Sequence, residues 1–442
     1  MSKSNNIQIK KVAHKDSVSS MTEDSKSLLK TKVIDIKKGQ SLNDVVIKNN
    51  QGEEKYTVIH LTEDYLSKYY LFRYNEISIE IEITKIDEME WLPLNENALW
   101  IELKKKSINI PMTTFTSLLG SGFVENFNPF KSYFENLPKW DEQKDYISEF
   151  GNFIKLESEK DREQFNINFK KWLVRTVKCT LETCYFNKQA FILSDDGNGQ
   201  DIGKTSWCRY LCPVSLKGYF AEDISNDKDA RILLCKNFLI NLDELAVLTK
   251  KEINHLKAYF SKEQINDRLP YARKNSIIPR VASFIGSTNM STFLQDETGS
   301  VRWIVFSIKD IDWSYKDNFD IDKLWAQAYF LAYQDNNFNE IFTPEDIKEN
   351  EKRNKKYMVL SPERELIDKF LKIPKSLTDV NIEFLTATEI LMMIKVKSSL
   401  QQMTNISVGK ALKASGFNRA KKDGIYGYYV EKIQADFSNI YN

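Results

Sequence analysis

Histidine is scarce, with three in 442 residues (His14, His60 and His255), so a histidine-based acid–base or metal centre has little to build on. The five cysteines, Cys179, Cys184, Cys208, Cys212 and Cys235, have no Cys-x-x-Cys spacing and no histidine close by. That excludes the usual zinc patterns and predicts reduced thiols buried in a core. No apolar run approaches the ~18 residues that span a membrane. The start, Met1-Ser2-Lys3-Ser4-Asn5-Asn6, lacks the apolar segment of a secretory signal. A cytoplasmic protein with no membrane partner is therefore expected. Excess charge is missing too, with 63 Lys and Arg against 62 Asp and Glu. Any contact with nucleic acid must come from local basic patches.

What is present is an ordinary globular balance of 42% hydrophobic and 28% charged residues, on a chain long enough for two to four domains. Residues 1–30 are polar and without period and read as a flexible tail. Residues 31–125 form an N-terminal α+β domain. In it Ile77 to Ile83 alternates with period two, and Leu99-Trp-Ile-Glu-Leu103 resembles that strand pattern. Residues 126–188 turn helical, with Phe130, Tyr133, Phe134 and Leu137, then Phe165, Phe169, Trp172 and Val177, at helical spacing. This is a helical collar. Residues 189–335 alternate short apolar strands with helical stretches, which predicts an α/β core on a mainly parallel sheet. A helical connector (336–375) and a compact C-terminal unit (376–442) follow.

The strongest chemical signal runs from Phe191 to Trp207. An apolar strand enters a glycine-bearing loop with Gly197 and Gly199, which ends in Gly203-Lys204-Thr205 at the start of a helix. Such a loop cradles phosphate oxygens with its backbone N–H groups, and the helix dipole favours negative charge there. Lys204 reaches the β- and γ-phosphates of ATP, and the Thr205 hydroxyl ligates Mg²⁺. Asn198 stands where the usual pattern has glycine, so the register of the loop is altered.

Three further motifs follow in order. Asn237-Phe-Leu-Ile-Asn-Leu-Asp243-Glu244 is an apolar strand ending in two carboxylates. Asp243 would hold the Mg²⁺ shell and Glu244 would polarise the attacking water, or the pair is simply a polar strand end. Asn289, closing the strand that begins at Val281, fits a sensor of the γ-phosphate. Arg302, just past it, fits an arginine finger offered to a neighbouring subunit, or a surface arginine paired with Asp296 or Glu297. Between the second and third motifs, Arg273 and Lys274 sit in a turn that suits a DNA-gripping hairpin or a solvated basic loop. Arg268 and Arg280, flanking it, would serve that hairpin or a subunit interface.

In the C-terminal unit, Ala387 begins one helix and Ser407 to Gly416 gives a second carrying Lys410 and Lys413. Arg419, Lys421 and Lys422 then precede a hairpin at Gly424. Helix, helix, basic wing is the order of a winged-helix domain, which binds DNA or docks protein.

With these residues in view, the chain resembles the virulence-associated protein E family, related to the superfamily 3 helicases of small viruses and plasmids. The resemblance covers most of residues 60–370. It rests on Asn128-Pro129 to Trp140-Asp141, Gly203-Lys204-Thr205, Asp243-Glu244, Arg268 to Arg280, Gly286-Ser-Thr-Asn289 and Asp296 to Trp303. In the last segment one extra residue separates Gly299 from Arg302, compared with the family's D-x-T-G-x-R. The resemblance implies an AAA+-like P-loop ATPase that assembles as a hexameric homo-oligomer, translocates on single-stranded DNA and is carried by a phage or mobile element. Many relatives join this helicase to a primase domain, but the ~120 residues ahead of the collar are too few for one, so a primase, if required, would be a separate protein. The winged helix would recognise an origin or duplex. The competing expectation is an ATP-binding, DNA-binding switch that does not unwind DNA.

Overall fold

The computed structural model describes residues 45–49, 52–195, 201–222, 224, 228–243, 245, 250–267, 276–290, 292–294, 301–374, 381–396 and 402–433. The expected tail lies outside them. Two compact units result, one of the residues up to Asn75 with Ile79–Asn126, the other of Glu76–Ser78 with Phe127–Asn442.

In the first unit, strand Tyr70–Asn75 runs antiparallel to Glu80–Lys85. The alternation expected from Ile77 thus enters the sheet only at Glu80, because Ile79 takes a turn conformation with φ of +63°. The second strand-like stretch, Leu99 to Leu103, is a helix instead, Glu96–Lys105. Asn95 caps it by accepting a hydrogen bond from the Ala98 N–H at 3.0 Å. Leu99 and Leu103, four residues apart, are both buried, whereas Ile101, which period two would also bury, is exposed. Tyr65 and Tyr70 both donate to Glu102 on this helix, at 2.8 and 2.9 Å.

The second unit is built on five parallel strands, β1 (Ala190–Ser194), β2 (Phe220–Glu222), β3 (Leu239–Leu242), β4 (Ser283–Thr288) and β5 (Trp303–Ile311). Their order across the sheet is β5-β1-β4-β3-β2. Both faces are apolar, as a parallel sheet covered on two sides requires. Phe191 and Leu193 join one core cluster, and Ala190 and Ile192 the other. The same split divides Ile304 and Phe306 from Trp303 and Val305.

The stretch expected as a separate collar belongs to this core. Phe130, Phe134, Phe150, Phe165, Phe169 and Trp172 are buried in one cluster with Phe191 and Phe306. Helix α1 (Arg162–Leu181) carries the Phe165/Phe169/Trp172 stripe, which packs on the β1–β5 face. Strand Ile154–Leu156, also inside the expected helical region, runs antiparallel to the far end of β5. Elsewhere along that edge, side chains of helix Pro344–Asn354 do the work of a strand. Asn350 and Asn354 donate to the Trp303 carbonyl at 2.5 and 2.8 Å, and Arg353 donates to that of Val305 at 3.0 Å.

The C-terminal elements have their own core around Ile367, Leu371, Ile390, Ile394, Val408, Leu412 and Val430. It draws on helix α2 (Pro362–Phe370) and strand Leu371–Lys372, which lie ahead of the boundary expected at residue 376. Helices α3 (Ala387–Val396) and α4 (Asn405–Ala414) follow, then the antiparallel pair Arg419–Lys422 and Ile425–Lys432. α4 starts two residues before its expected start at Ser407, and Thr404 caps it by accepting from the Ser407 N–H at 3.1 Å.

Candidate active site

β1 delivers the chain to the carboxyl edge of the sheet, where open α/β sheets place their ligand crevice. Asp195, the first residue beyond the strand, is buried. Residues 196–200, with the expected phosphate-binding Gly199, lie outside the described residues. Gly203 caps the helix Lys204–Tyr210 with φ of +93°, a conformation open to glycine at little cost. A methyl group there would also collide with the Trp313 ring.

From this turn two side chains diverge. The Lys204 ammonium donates to Asp195 Oδ2 at 2.7 Å, with both groups buried. The Thr205 hydroxyl lies 3.0 Å from each carboxylate oxygen of Asp243, the residue after β3. A third strand joins them, for the Ser287 hydroxyl donates to Asp243 Oδ1 at 2.7 Å. Gly286 makes that meeting possible. A Cβ at this position would run into the Leu242 carbonyl, so only glycine lets β4 lie this close to β3. Burial, together with the charge of Asp243, pushes the Cys208 thiol far above its usual range, so it stays a neutral core group.

Asn289 is exposed immediately past β4, whose Thr288 carbonyl accepts from the Asp195 N–H at 3.4 Å. Arg302 is placed differently. Trp303 pairs with Ala190 at the start of β1, so Arg302 lies at the opposite edge of the sheet from the loop. Five strand residues separate the two edges, roughly 16 Å. Its Nε donates to the Ser261 hydroxyl at 3.1 Å. Asp296 and Glu297, its alternative partners, lie outside the described residues, as does Glu244. Strands Gln264–Asp267 and Ser276–Pro279 form the base of an antiparallel hairpin. Its connection, with Arg268, Arg273 and Lys274, lies outside the described residues.

Arg280, expected at the hairpin or a subunit interface, is instead engaged within its own chain. It is fully buried and donates to the carbonyls of Ala282, Tyr259, Phe260 and Asn187 at 2.7–3.1 Å. Tyr259 and Phe260 end the helix Lys250–Phe260, whose unpaired carbonyls need such a cap. The cysteine expectation also needs one correction, since Cys184 is exposed while the other four are buried. In the C-terminal elements, Lys410, Lys413, Arg419, Lys421 and Lys422 are all exposed. The Arg419 guanidinium and Lys421 ammonium lie 4.4 and 5.4 Å from the centre of the Tyr426 ring.

Three residues of this site were missed in the sequence. Ser287 lies inside the Gly286-Ser-Thr-Asn289 motif, two residues ahead of the expected sensor Asn289. Asp195 was readable as an acid closing an apolar strand. Trp313 carried no local signal.

A parallel α/β sheet with a lysine–threonine turn facing a strand-end aspartate defines the class. The virulence-associated protein E-like domain matches residues 134–359, and the chain belongs to that family. Among solved structures, it is similar to the apo C-terminal region of NrS-1, at 13% identity and a TM-score of 0.46, over 86% of this chain and 100% of that one. It is also similar to SCCmec type IV Cch, described as an active helicase, at 11% identity and a TM-score of 0.35, over 82% of this chain and 92% of that one. No curated protein matches the sequence.

Proposed function

We propose that the chain is an ATP-driven DNA helicase of a phage or mobile element, with an AAA+-like P-loop core working in a hexameric ring on single-stranded DNA. The observation that carries this reading is the meeting of Thr205 and Asp243 across 3.0 Å beside Lys204. A phosphate loop and an acidic strand end must converge in this way to hold a metal–nucleotide pair. The strand order β5-β1-β4-β3-β2 supports it, because the acidic strand and the polar-ended β4 lie on the same side of the loop strand.

The donor set fits Mg²⁺, since a hydroxyl and a carboxylate are hard oxygen ligands already within reach of one another. Bound there, Mg²⁺ would neutralise charge on the phosphates. Lys204 would leave Asp195 to bind phosphate oxygens, Glu244 would orient water, and Asn289 would sense the terminal phosphate. Arg302 faces away from its own loop, which suits a finger acting on a neighbour. The hairpin with Arg273 and Lys274 would grip the strand, and the C-terminal winged-helix domain would recognise duplex.

The test is ATP hydrolysis by wild type and Lys204→Ala, each with and without single-stranded DNA. Hydrolysis stimulated by DNA and lost in the variant is expected. Slow turnover indifferent to DNA would favour the nucleotide switch, and no turnover at all would end the helicase reading.

A further inference from the structure

We propose that Trp313 is the platform on which the base of the bound nucleotide stacks. This rests on the nucleotide reading above and adds what that reading lacks, a group that tells a nucleotide from bare polyphosphate.

β5 runs parallel to β1 and ends at Ile311, so Trp313 emerges at the same edge of the sheet as the phosphate loop. Its benzo ring lies against Gly203, one residue before Lys204. Among the described residues it is the one tryptophan that is exposed, at 41%, while Trp172, Trp207, Trp303 and Trp325 are fully buried. A tryptophan left in water forgoes a large burial gain, which calls for a use.

Nor is the ring loosely held. The Asp312 N–H donates to the Phe153 carbonyl at 2.7 Å, and Asp312 Oδ1 accepts from the Ser314 N–H at 3.0 Å. The Lys316 N–H donates to the Trp313 carbonyl at 3.2 Å. Trp313 thus sits on a pinned turn, and stacking loses little entropy there. The exposed Lys316 ammonium lies over its ring, 4.2 Å from the centre. A solvated lysine swings aside easily, and a base can take its place. The opposing account is a wall that merely shapes the Gly203 turn.

Calorimetric titration of the full chain with MgATP and with magnesium tripolyphosphate separates the two. For Trp313→Ala, MgATP should bind about tenfold more weakly, the order of one base–aromatic stack. Tripolyphosphate should bind as to wild type. Trp313→Phe should keep most of the ATP affinity. The stacking role is overturned if both probes weaken together in Trp313→Ala, or if neither changes, and in the latter case the nucleotide site itself stands. If wild type binds neither probe, the nucleotide reading falls and takes the platform with it.

Discussion

Lys204 and Asp195, nine residues apart in sequence, form a buried ion pair at 2.7 Å. Under the proposed function, a nucleotide phosphate would compete with this carboxylate for the same ammonium. Breaking a buried pair by removing one partner typically costs about 3 kcal/mol or more, because the other charge stays desolvated. In Asp195→Asn, Lys204 is the charge left behind, and phosphate becomes its best partner. The variant should melt below wild type without nucleotide and gain more from MgATP, since a ligand that binds only the folded state raises its stability. Thermal melts with and without MgATP measure both. A smaller gain than wild type would mean that Asp195 supports the bound nucleotide. The same pair bears on Lys204→Ala, which strands Asp195. The double variant Lys204→Ala/Asp195→Asn should recover folding while staying inactive.

Ser287 and Thr205 share the carboxylate of Asp243, and under the proposed function Ser287 would act by orienting it. Groups that orient a metal-binding carboxylate typically contribute about 10- to 100-fold in affinity or activity. Ser287→Ala should raise the Mg²⁺ concentration giving half-maximal ATP hydrolysis by about tenfold, with little change in rate at saturating Mg²⁺. Thr205→Ala should lose rate at every Mg²⁺ concentration. A magnesium titration of hydrolysis distinguishes them. An unchanged Mg²⁺ requirement in Ser287→Ala would make Ser287 a packing residue.

Arg280 is a structural cation. Burial pushes its pKa down, yet the carbonyls that end helix Lys250–Phe260 hold the charge. Arg280→Met should lose about 3 kcal/mol or more in urea denaturation, because several buried carbonyls lose their donor together. Its assembly state should match wild type. A variant that stays as stable but dissociates would restore the interface role.

The α/β core was legible in the sequence because strands buried on both faces are short apolar runs with polar ends. Lys204 and Thr205 follow one such strand and Asp243 another, which is why their meeting could be anticipated. The limits were physical as well. Leu99 to Leu103 fits both periods over five residues, and the Asn95 cap decides for helix. The collar looked separate because helical spacing reports an apolar stripe and not what covers it. Trp313 reaches Gly203 from more than a hundred residues away, and no local pattern encodes such a meeting.

Three lysines of α1 tie it to other elements: Lys170 to Asp145 at 2.6 Å, Lys171 to Asp346 at 2.6 Å and Lys178 to Glu340 at 2.7 Å. Burial alone would raise these three carboxyls, but the hydrogen bonds they accept outweigh it and hold each below its usual value. A folded-state pKa below the unfolded one means stabilisation that is complete above the ordinary carboxylate range of about 4. It disappears as pH falls through the depressed values. Lys171→Met/Lys178→Met should therefore melt below wild type at pH 7, with the gap narrowing towards pH 3. A gap constant with pH would assign the loss to packing of the lysine stems.

The C-terminal hairpin Arg419–Lys422/Ile425–Lys432 is where the proposed DNA contact can be tested. Arg419, Lys421 and Lys422 are exposed on one short strand, and the first two lie over the Tyr426 ring, which limits how far they can swing. Each cation that neutralises a phosphate releases counterions, adding about 0.9 to the slope of log affinity against log salt on duplex DNA. Alanine at all three should flatten that slope by between two and three and weaken binding similarly for unrelated sequences. Lys410→Ala and Lys413→Ala on α4, the helix ahead of the wing, should instead change the preference among sequences if that helix enters the major groove. Binding titrations across a salt series, with two duplexes of different sequence, read both effects. An unchanged slope in the triple variant would make this hairpin a protein-docking surface.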